Sequence, residues 1–448
     1  MDQAKDATHV VAIVGGAVAG SEAAVLLAES GALAVVFEQN ARPYGKIEDG
    51  LPRWHAKLRE REYARINANL DRGGVMYVPN TAVGRDVSFE TLHRELAFSS
   101  IILATGAWRD RPLPVPGADS YVGSGLLYQN ALVGWFNHYH EANYDGPAYE
   151  VHGPAIVVGG GLASIDVVKI INLQLYQRAL AARGIEVDLL KLEHRGIAAF
   201  LQECGVTAEE LNVDGATLYY RRSRQEMPLA TPRGTSAEEL EKVRNTRARV
   251  IELVMRKFLV KLEENCVPVG AIDTDGRLGG LVFRRTQQQG SKLVEVAGSD
   301  FEVRAPLTVG SIGSLPQTIP GVPSSGDLYT FADERRGQVA GVSRVFALGN
   351  VLTGKGNIKD SRVNAADVAD HIIGNLLGVS DRDGQEAMMS DDLHEEFRAK
   401  AEPVVQQALA DSAPLDSGKL AKLLEWVKAR QQVVGYSGYQ PWIEQTNS

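Results

Sequence analysis

The chain is poor in the features that mark several large classes of protein. It has two cysteines among 448 residues, Cys204 and Cys266, and they lie far apart. This excludes a Cys-x-x-Cys redox pair, a cysteine-ligated iron–sulfur cluster and a disulfide framework. We also predict no metal centre. No apolar run approaches the roughly 18–20 residues that a membrane-spanning helix needs, so we predict no contact with a membrane.

The chain also lacks an excess of positive charge. Its net charge is −9 at pH 7, so the overall charge gives no indication of a surface that binds nucleic acid. The first residues show no basic segment followed by an apolar stretch, so no signal peptide is visible and we expect a cytoplasmic protein. Apolar residues make up 44% of the chain, which is ample for a globular core. The length corresponds to about three domains.

What the chain does have is two glycine-rich turns, each of which follows a short apolar strand and opens a helix of small residues. A dinucleotide-binding turn requires this context, because backbone N–H groups must approach a pyrophosphate. The helix N-terminus then adds a partial positive charge. Two such turns predict two dinucleotides, and therefore a flavin that exchanges electrons with a nicotinamide. The residues of the turns are Gly15, Gly16, Ala17 and Gly20 in the first, and Gly159, Gly161, Leu162 and Ala163 in the second.

The residues at two strand ends predict which dinucleotide each turn binds. Glu38 ends the predicted strand 34–38, where a carboxylate can accept both hydroxyls of an adenosine ribose. Arg221 and Arg222 end the predicted strand 216–221, where guanidinium groups match a 2′-phosphate. The sequence therefore predicts FAD in the first site and NADP(H) in the second. The alternatives are a solvated strand-end acid and a solvated basic pair.

The order of these elements predicts an α/β protein with two Rossmann-like dinucleotide-binding domains. We assign residues 1–118 and 306–380 to a discontinuous FAD-binding domain, and residues 119–305 to an inserted NADP(H)-binding domain. A helical C-terminal extension covers 381–448, with a helix at about 362–377 before it. Within the extension, Leu420, Leu423, Leu424 and Val427 form one apolar helical stripe, a pattern more typical of packing than of partner binding.

Further motifs follow in a fixed order: Arg-Pro-Tyr-Gly45-Lys46, Ala-Thr105-Gly106, the second glycine turn, Arg221-Arg222-Ser with a later Met-Pro, and a turn from Gly349 to Ile358. Together they resemble adrenodoxin reductase-type ferredoxin–NADP⁺ reductases over roughly residues 8–378. The Arg-Arg-Ser stretch is also similar to the small subunit of glutamate synthase. The chain lacks the cysteine-rich segment at the start of that subunit. Ala17 replaces the second glycine of the first fingerprint, and Asn350 stands where many relatives carry an aspartate.

The resemblance implies further site residues. His55 and Asp166 match the family's histidine and aspartate near the flavin–nicotinamide junction, where such groups position rings or supply protons. The structural alternatives are a loop histidine bound to a carbonyl group and a first-turn acid that complements the helix dipole. The implied FAD contacts beyond the first glycine turn are Gly45, Lys46, Thr105, Gly106, Gly349, Asn350, Gly356, Asn357 and Ile358.

The leading functional hypothesis is a ferredoxin–NADP⁺ reductase-like flavoprotein with an external one-electron acceptor, because the chain has no internal cluster or dithiol. A basic run on a predicted helix would dock an acidic ferredoxin, or would be a plain solvated face. The alternative function is an NADPH-oxidising electron-input subunit of a larger iron–sulfur enzyme, similar to the glutamate synthase small subunit, with the C-terminal extension as assembly element. The basic run comprises Lys242, Arg244, Arg247 and Arg249, followed by Arg256 and Lys257.

Overall fold

The first glycine turn belongs to a mostly parallel sheet in the computed structural model, which describes residues 7–96, 98–230, 232, 234–353 and 382–446. Its short apolar strands are buried on both faces, as parallel strands between helical layers must be. We call this sheet and the helices on it the first lobe. Within the described residues the sheet has seven strands, in the order Phe331–Asp333, Gln338–Val339, Val345–Ala347, Ser100–Leu103, Val10–Val14, Leu33–Phe37 and Val75–Val78.

Helices cover both faces of the first sheet. Val18–Glu29 and Ala56–Leu70 pack on one face together with Arg382–Ala410. Ser417–Val433 contributes Leu420, Leu423 and Val427 to the core on the other face. The predicted apolar stripe is therefore used for packing inside this chain. The shorter helical segments of this lobe are Lys46–Asp49, Arg53–His55, Thr91–Glu95, Asn350–Thr353 and Tyr439–Thr446.

The second glycine turn belongs to a parallel sheet of its own, which we call the second lobe together with its helices and an attached antiparallel sheet. The parallel strands lie in the order Leu126–Tyr128, Leu307–Ser311, Ala155–Gly159, Ala216–Tyr220 and Lys261–Glu264. The antiparallel strands are Cys266–Thr274, Arg277–Gln289, Lys292–Glu295 and Phe301–Arg304. The helices are Gln129–His138, Leu162–Ala181, Leu189–Arg195, Ile197–Cys204, Ala208–Leu211 and Ala237–Phe258, with 3₁₀ turns at Ala118–Tyr121 and Arg224–Glu226.

The two-lobed α/β architecture, with the second lobe inserted into the first, is the one predicted from the sequence. One boundary needs correction, because Leu307–Ser311 pairs in parallel with Ala155–Gly159 and so belongs to the second lobe rather than to a segment that starts at 306. The chain crosses between the lobes at a short antiparallel ladder of Arg109–Asp110 with Ser314–Leu315. The helix predicted at 362–377 lies outside the described residues. No helix in the described part combines the length and apolarity needed to cross a membrane.

Candidate functional site

The first glycine turn packs against the Ala-Thr-Gly turn that follows the strand Ser100–Leu103. A Cβ atom on Gly15 would lie 2.6 Å from the Ala104 carbonyl oxygen, and the positive φ of Gly15, 102°, also favours glycine. A Cβ on Gly20 would overlap the Gly15 carbonyl group, so the helix Val18–Glu29 begins directly against the strand end. The structure thus brings together two motifs that are separated in sequence by two other strands of the same sheet.

A cavity of about 340 Å³ opens beside these turns. Its wall includes Thr105, whose Oγ1 is buried without a hydrogen-bond partner. An unsatisfied buried hydroxyl group costs free energy unless a ligand supplies the missing partner, so this atom fits a polar ligand such as FAD. Of the residues predicted from sequence, the wall contains Gly15, Ala17, Glu38, Gly45 and Thr105. It also contains residues that the sequence analysis missed, Thr81–Arg85, Trp108 and Gln317–Pro320.

Glu38 lies at the end of its strand with only 6% of its surface exposed. Its two carboxylate oxygens accept hydrogen bonds from the backbone N–H groups of Gly16 at 2.9 Å and Asn40 at 3.0 Å. Burial raises the pKa of Glu38, and these backbone bonds oppose the rise. A carboxylate has about four acceptor positions, so Glu38 can also accept a hydrogen bond from a ribose hydroxyl group.

The same contacts define which N–H groups would face a pyrophosphate. The N–H of Gly16 is used by Glu38, and that of Gly15 donates to the Phe37 carbonyl at 2.8 Å. The N-cap residue Ala17 makes no side-chain cap bond to the helix Val18–Glu29. The first N–H groups of a helix have no acceptor within the helix, and these would therefore bind the phosphates.

Lys46 lies between the lobes rather than on the cavity wall. Its Nζ donates to Ser314 Oγ at 2.9 Å and to Asn130 Oδ1 at 3.2 Å, both in or next to the second lobe. Burial lowers the pKa of Lys46 to about 8, while the charge of Asp110 opposes this shift. Burial in turn raises the pKa of Asp110 to about 6. Lys46 and Asp110 thus form a titratable pair where the lobes meet.

The remaining residues of the predicted FAD contacts are only partly described. Gly106 continues the Ala-Thr-Gly turn, and a Cβ on it would lie 3.9 Å from Trp108 Nε1. A Cβ on Gly349 would lie 3.1 Å from the Ala19 side chain, so this turn reaches the helix of the first glycine turn. Asn350 begins the helix Asn350–Thr353. Gly356, Asn357 and Ile358 lie outside the described residues.

The second glycine turn is covered by Tyr220, the last residue of the strand that directly precedes the two arginines. A Cβ on Gly160 would overlap the Tyr220 ring, and one on Gly159 would overlap Ser164 Oγ. Gly161 is the N-cap of the helix Leu162–Ala181, which begins with Leu162 and Ala163 and has no side-chain cap bond. The turn therefore presents uncapped N–H groups beside the end of the strand Ala216–Tyr220.

Arg221 and Arg222 directly follow Tyr220, so they lie beside the second glycine turn. The Arg221 side chain is exposed. Arg222 Nε is buried without a hydrogen-bond partner, and Nη1 of the same residue lies 3.9 Å from Glu226 Oε1. An unsatisfied guanidinium donor next to an uncapped helix start fits a nucleotide phosphate.

The two predicted catalytic residues come from different lobes, and each lies near in sequence to one member of a contact between the lobes, that of Trp54 with Lys169. Trp54, which precedes His55, inserts into the core of the second lobe, where Lys169 Nζ lies 4.3 Å from the centroid of the Trp54 ring. Asp166 lies one helical turn before Lys169. Burial raises the pKa of Asp166 to about 7; the charge of Lys169 opposes this rise and that of Glu193 adds to it.

A buried ion pair that was not predicted from the sequence lies next to this contact. Lys169 Nζ and Glu193 Oε1 are 2.8 Å apart, and each side chain is 1% exposed. Trp54 Nε1 is buried without a hydrogen-bond partner at the same place. A lysine within the apolar run Val167–Ile171 was the signal that could have predicted a buried charge, whereas nothing near Glu193 marks its partner.

The basic run lies on the helix Ala237–Phe258, as predicted. Arg247 must be removed from the docking set, because its Nε and Nη2 donate to the Ala230 carbonyl at 2.9 and 2.6 Å and burial lowers its pKa. Arg244 lies 3.5 Å from Glu241. Lys242, Arg249 and Arg256 are exposed and stand about two helical turns apart, so they share one face, which we call the basic stripe.

Two nucleotide-binding lobes with a shared polar contact define an NAD(P)-dependent flavoprotein oxidoreductase, with FAD and NADP(H) as cofactors. Residues 9–211 match the family model described as pyridine nucleotide-disulphide oxidoreductase. Cys204 and Cys266 are both free.

Similarity to characterised proteins extends beyond the family model. The glutamate synthase [NADPH] small chain of Mycobacterium tuberculosis is 27% identical over 384 residues, which are 82% of this chain and 67% of the relative. The NADPH-Fe(3+) oxidoreductase subunit beta of Geobacter sulfurreducens is 30% identical over 319 residues, 68% of this chain and 37% of the relative. The fold matches Mycobacterium tuberculosis FprA in complex with NADPH, with a TM-score of 0.61, 18% identity, and coverage of 95% of this chain and 90% of that chain.

Proposed function

We propose that this protein oxidises NADPH and delivers the electrons one at a time to an external iron–sulfur carrier of the ferredoxin type. The observation that carries the proposal is the pairing of two uncapped helix starts, one beside the buried Glu38 carboxylate and one beside Arg221 and Arg222. The chemistry that FAD supplies when bound is the acceptance of a hydride ion and the release of electrons one at a time. The protein itself binds and orients the two cofactors and excludes water.

Binding would be divided between the lobes. The helix start after Ala17, the Glu38 carboxylate and Thr105 Oγ1 would hold FAD. The helix start after Gly161 and the two arginines would hold NADPH, and the positive charge of the arginines favours a 2′-phosphate over the hydroxyl of NADH. Neither binding task needs a nucleophile from the protein.

Orientation depends on contacts between the lobes. Asn137 Nδ2 donates to the carbonyl groups of Glu48 at 2.8 Å and Leu51 at 3.0 Å, and Asn137 Oδ1 accepts from the N–H of Arg53 at 2.9 Å. Trp54 fills the core of the second lobe next to these bonds. They fix the segment that carries His55 relative to the second lobe, which carries Asp166. The Asp166 carboxyl group holds a proton below about pH 7.

The alternative function is electron input to a larger iron–sulfur enzyme. The observation that favours it is the similarity to glutamate synthase small chains over 82% of this chain. In that case a larger subunit would copurify with the protein, and ferredoxin reduction by the protein alone would be slow. A protein that reduces ferredoxin alone, and that purifies without a partner, would argue for the leading proposal.

The experiment that tests the external carrier uses the basic stripe. The reversal variant Lys242→Glu, Arg249→Glu, Arg256→Glu should slow NADPH-driven reduction of ferredoxin and weaken its dependence on salt, because an acidic carrier approaching a protein of net charge −9 needs a local positive surface. Reduction of ferricyanide should stay near normal, since a small acceptor needs no docking surface. The measurement is the ratio of the two rates across ionic strength.

The matched control reverses Arg277, Lys292 and Arg304, three exposed cations on the antiparallel sheet. It changes the net charge equally but leaves the stripe intact, so its rate ratio should resemble that of the parent. Equal loss of both activities in the stripe variant would mean that the helix serves folding. An unchanged ratio in the stripe variant would place the carrier elsewhere.

A further inference from the structure

The C-terminal extension does more than cover the first sheet, because its last helix bonds to the loop that lies on the first glycine turn. Trp442 is 7% exposed, and its Nε1 donates to the Ala41 carbonyl at 2.7 Å. The loop continues to Pro43, whose Cβ lies 3.2 Å from the position that a Cβ on Gly16 would occupy. The extension thus fixes the start of a loop that touches the predicted FAD site.

A second anchor holds the middle of the same loop. Tyr44 is 2% exposed, and its hydroxyl group donates to Asn67 Oδ1 at 3.1 Å. The hydroxyl group of Tyr439 donates to the same oxygen at 2.9 Å. The Tyr44 ring stacks on Tyr63 with 3.9 Å between centroids. One amide oxygen therefore ties the extension to the loop immediately before Gly45, which lines the cavity.

The preceding helix, Ser417–Val433, reaches another part of the cavity wall. Arg430 Nε donates to Thr81 Oγ1 at 3.1 Å, and Gln431 Nε2 donates to the Tyr77 carbonyl at 2.8 Å. Thr81 lines the cavity, and its N–H donates to the Glu38 carbonyl at 2.7 Å. The extension therefore holds the cavity wall at a place that is distant in sequence from the loop at 41–45.

We propose that the two helices Ser417–Val433 and Tyr439–Thr446 form a clamp that holds the FAD site in its binding geometry, with Trp442 and Tyr439 as positioning residues. A loop that is fixed before binding loses less conformational entropy when the ligand binds. Removal of the anchors of the loop therefore weakens binding of the ligand. This inference rests on FAD occupying the first glycine turn. It is independent of the electron acceptor.

The test is the double variant Trp442→Phe, Tyr439→Phe, which removes both donors and keeps an aromatic ring at each position. Apoprotein is titrated with FAD, and binding is followed by flavin fluorescence. The loss of two hydrogen bonds should raise the Kd for FAD roughly 5- to 150-fold. The Kd for NADPH, whose site lies in the second lobe, should not change. Far-UV circular dichroism confirms that the variant is folded.

Arg398→Gln is the matched control, because it breaks the 2.6 Å ion pair between the extension and Glu29 without touching the loop or the cavity. It should leave the Kd for FAD at the parental value. A parental Kd for FAD in the double variant would overturn the proposed clamp. An equal rise of the Kd in the control would also overturn it, because it would mean that any loosening of the extension weakens FAD binding. Failure of the parent itself to bind FAD would instead overturn the proposed function, and the clamp with it.

Discussion

Individual side chains at the ends of two strands distinguish the two nucleotide sites. The first site has a buried carboxylate, Glu38, held by two backbone N–H groups. The second has a pair of arginines, and one of their nitrogens is buried without a partner. A carboxylate accepts ribose hydroxyls and repels phosphate, whereas a guanidinium group binds phosphate. The opposite charges are the reason for our proposal that the first lobe binds FAD and the second binds NADPH.

This assignment predicts the coenzyme preference of a double variant. Arg221→Ala with Arg222→Ala should raise the KM for NADPH roughly 10- to 150-fold, because it removes a charge-assisted interaction of about 1.5–3 kcal/mol with the 2′-phosphate. The KM for NADH should barely move, since NADH has no phosphate at that position. Steady-state kinetics with both coenzymes measure the effect. Equal changes for NADPH and NADH would contradict the phosphate role.

Asp166 predicts a dependence of stability on pH. Its folded-state pKa of about 7 lies above the ordinary aspartate pKa of 3.8, so the folded protein binds more protons than the unfolded chain between these values. The stabilisation is complete below about pH 4 and is lost as the pH rises through about 7. At about 1.4 kcal/mol per pKa unit, the loss is at most about 4 kcal/mol.

Asparagine resembles the protonated carboxyl group, so Asp166→Asn should lose less free energy of unfolding than the parent as the pH rises from about 4 to 8. Denaturant unfolding at a series of pH values measures how the free energy of unfolding depends on pH. Asp145→Asn, at an exposed position, is the control and should keep the parental slope. If Asp166→Asn also keeps that slope, the buried carboxyl group is not the titrating group.

At the scale of elements, the strands, helices and turns that could be predicted are those whose formation depends on residues close together in the sequence. The strands Leu33–Phe37 and Ala216–Tyr220 are short apolar runs, and the structure has each of them within one residue of the predicted bounds, 34–38 and 216–221. The glycine turns were predictable because close backbone approach excludes larger residues. The stripe at Leu420, Leu423 and Val427 was predictable from its helical period.

Contacts between elements that are far apart in the sequence could not be predicted. The cavity wall at Thr81 and Trp108 follows from the way the sheet brings several strand ends together, and neither residue lies in a recognisable motif. The contact of Asn137 with the loop before Trp54 joins two segments from different lobes. The same limit explains Arg247, whose carbonyl partner at Ala230 could not be read from a run of basic residues.

At the scale of the whole molecule, the lobes are joined by polar groups as well as by packing. Lys46 binds Asn130 and Ser314, and Asn137 binds the segment before His55. His138 lies between Asp49, at 3.1 Å, and Glu141, at 2.8 Å, and the carboxylates raise its pKa. These contacts hold two nucleotide sites in one arrangement, as electron transfer between two bound nucleotides requires.

The most direct test of the account is the visible absorbance of the purified protein during anaerobic titration with NADPH. The account predicts a flavin band that bleaches with NADPH, and that bleaches much less with the same concentration of NADH, because we propose that Arg221 and Arg222 bind the 2′-phosphate. Oxidised ferredoxin should then restore the band. A protein without a flavin band, or with a band that NADPH leaves unchanged, would contradict the claim that the two glycine turns bind FAD and NADPH in one electron-transfer unit.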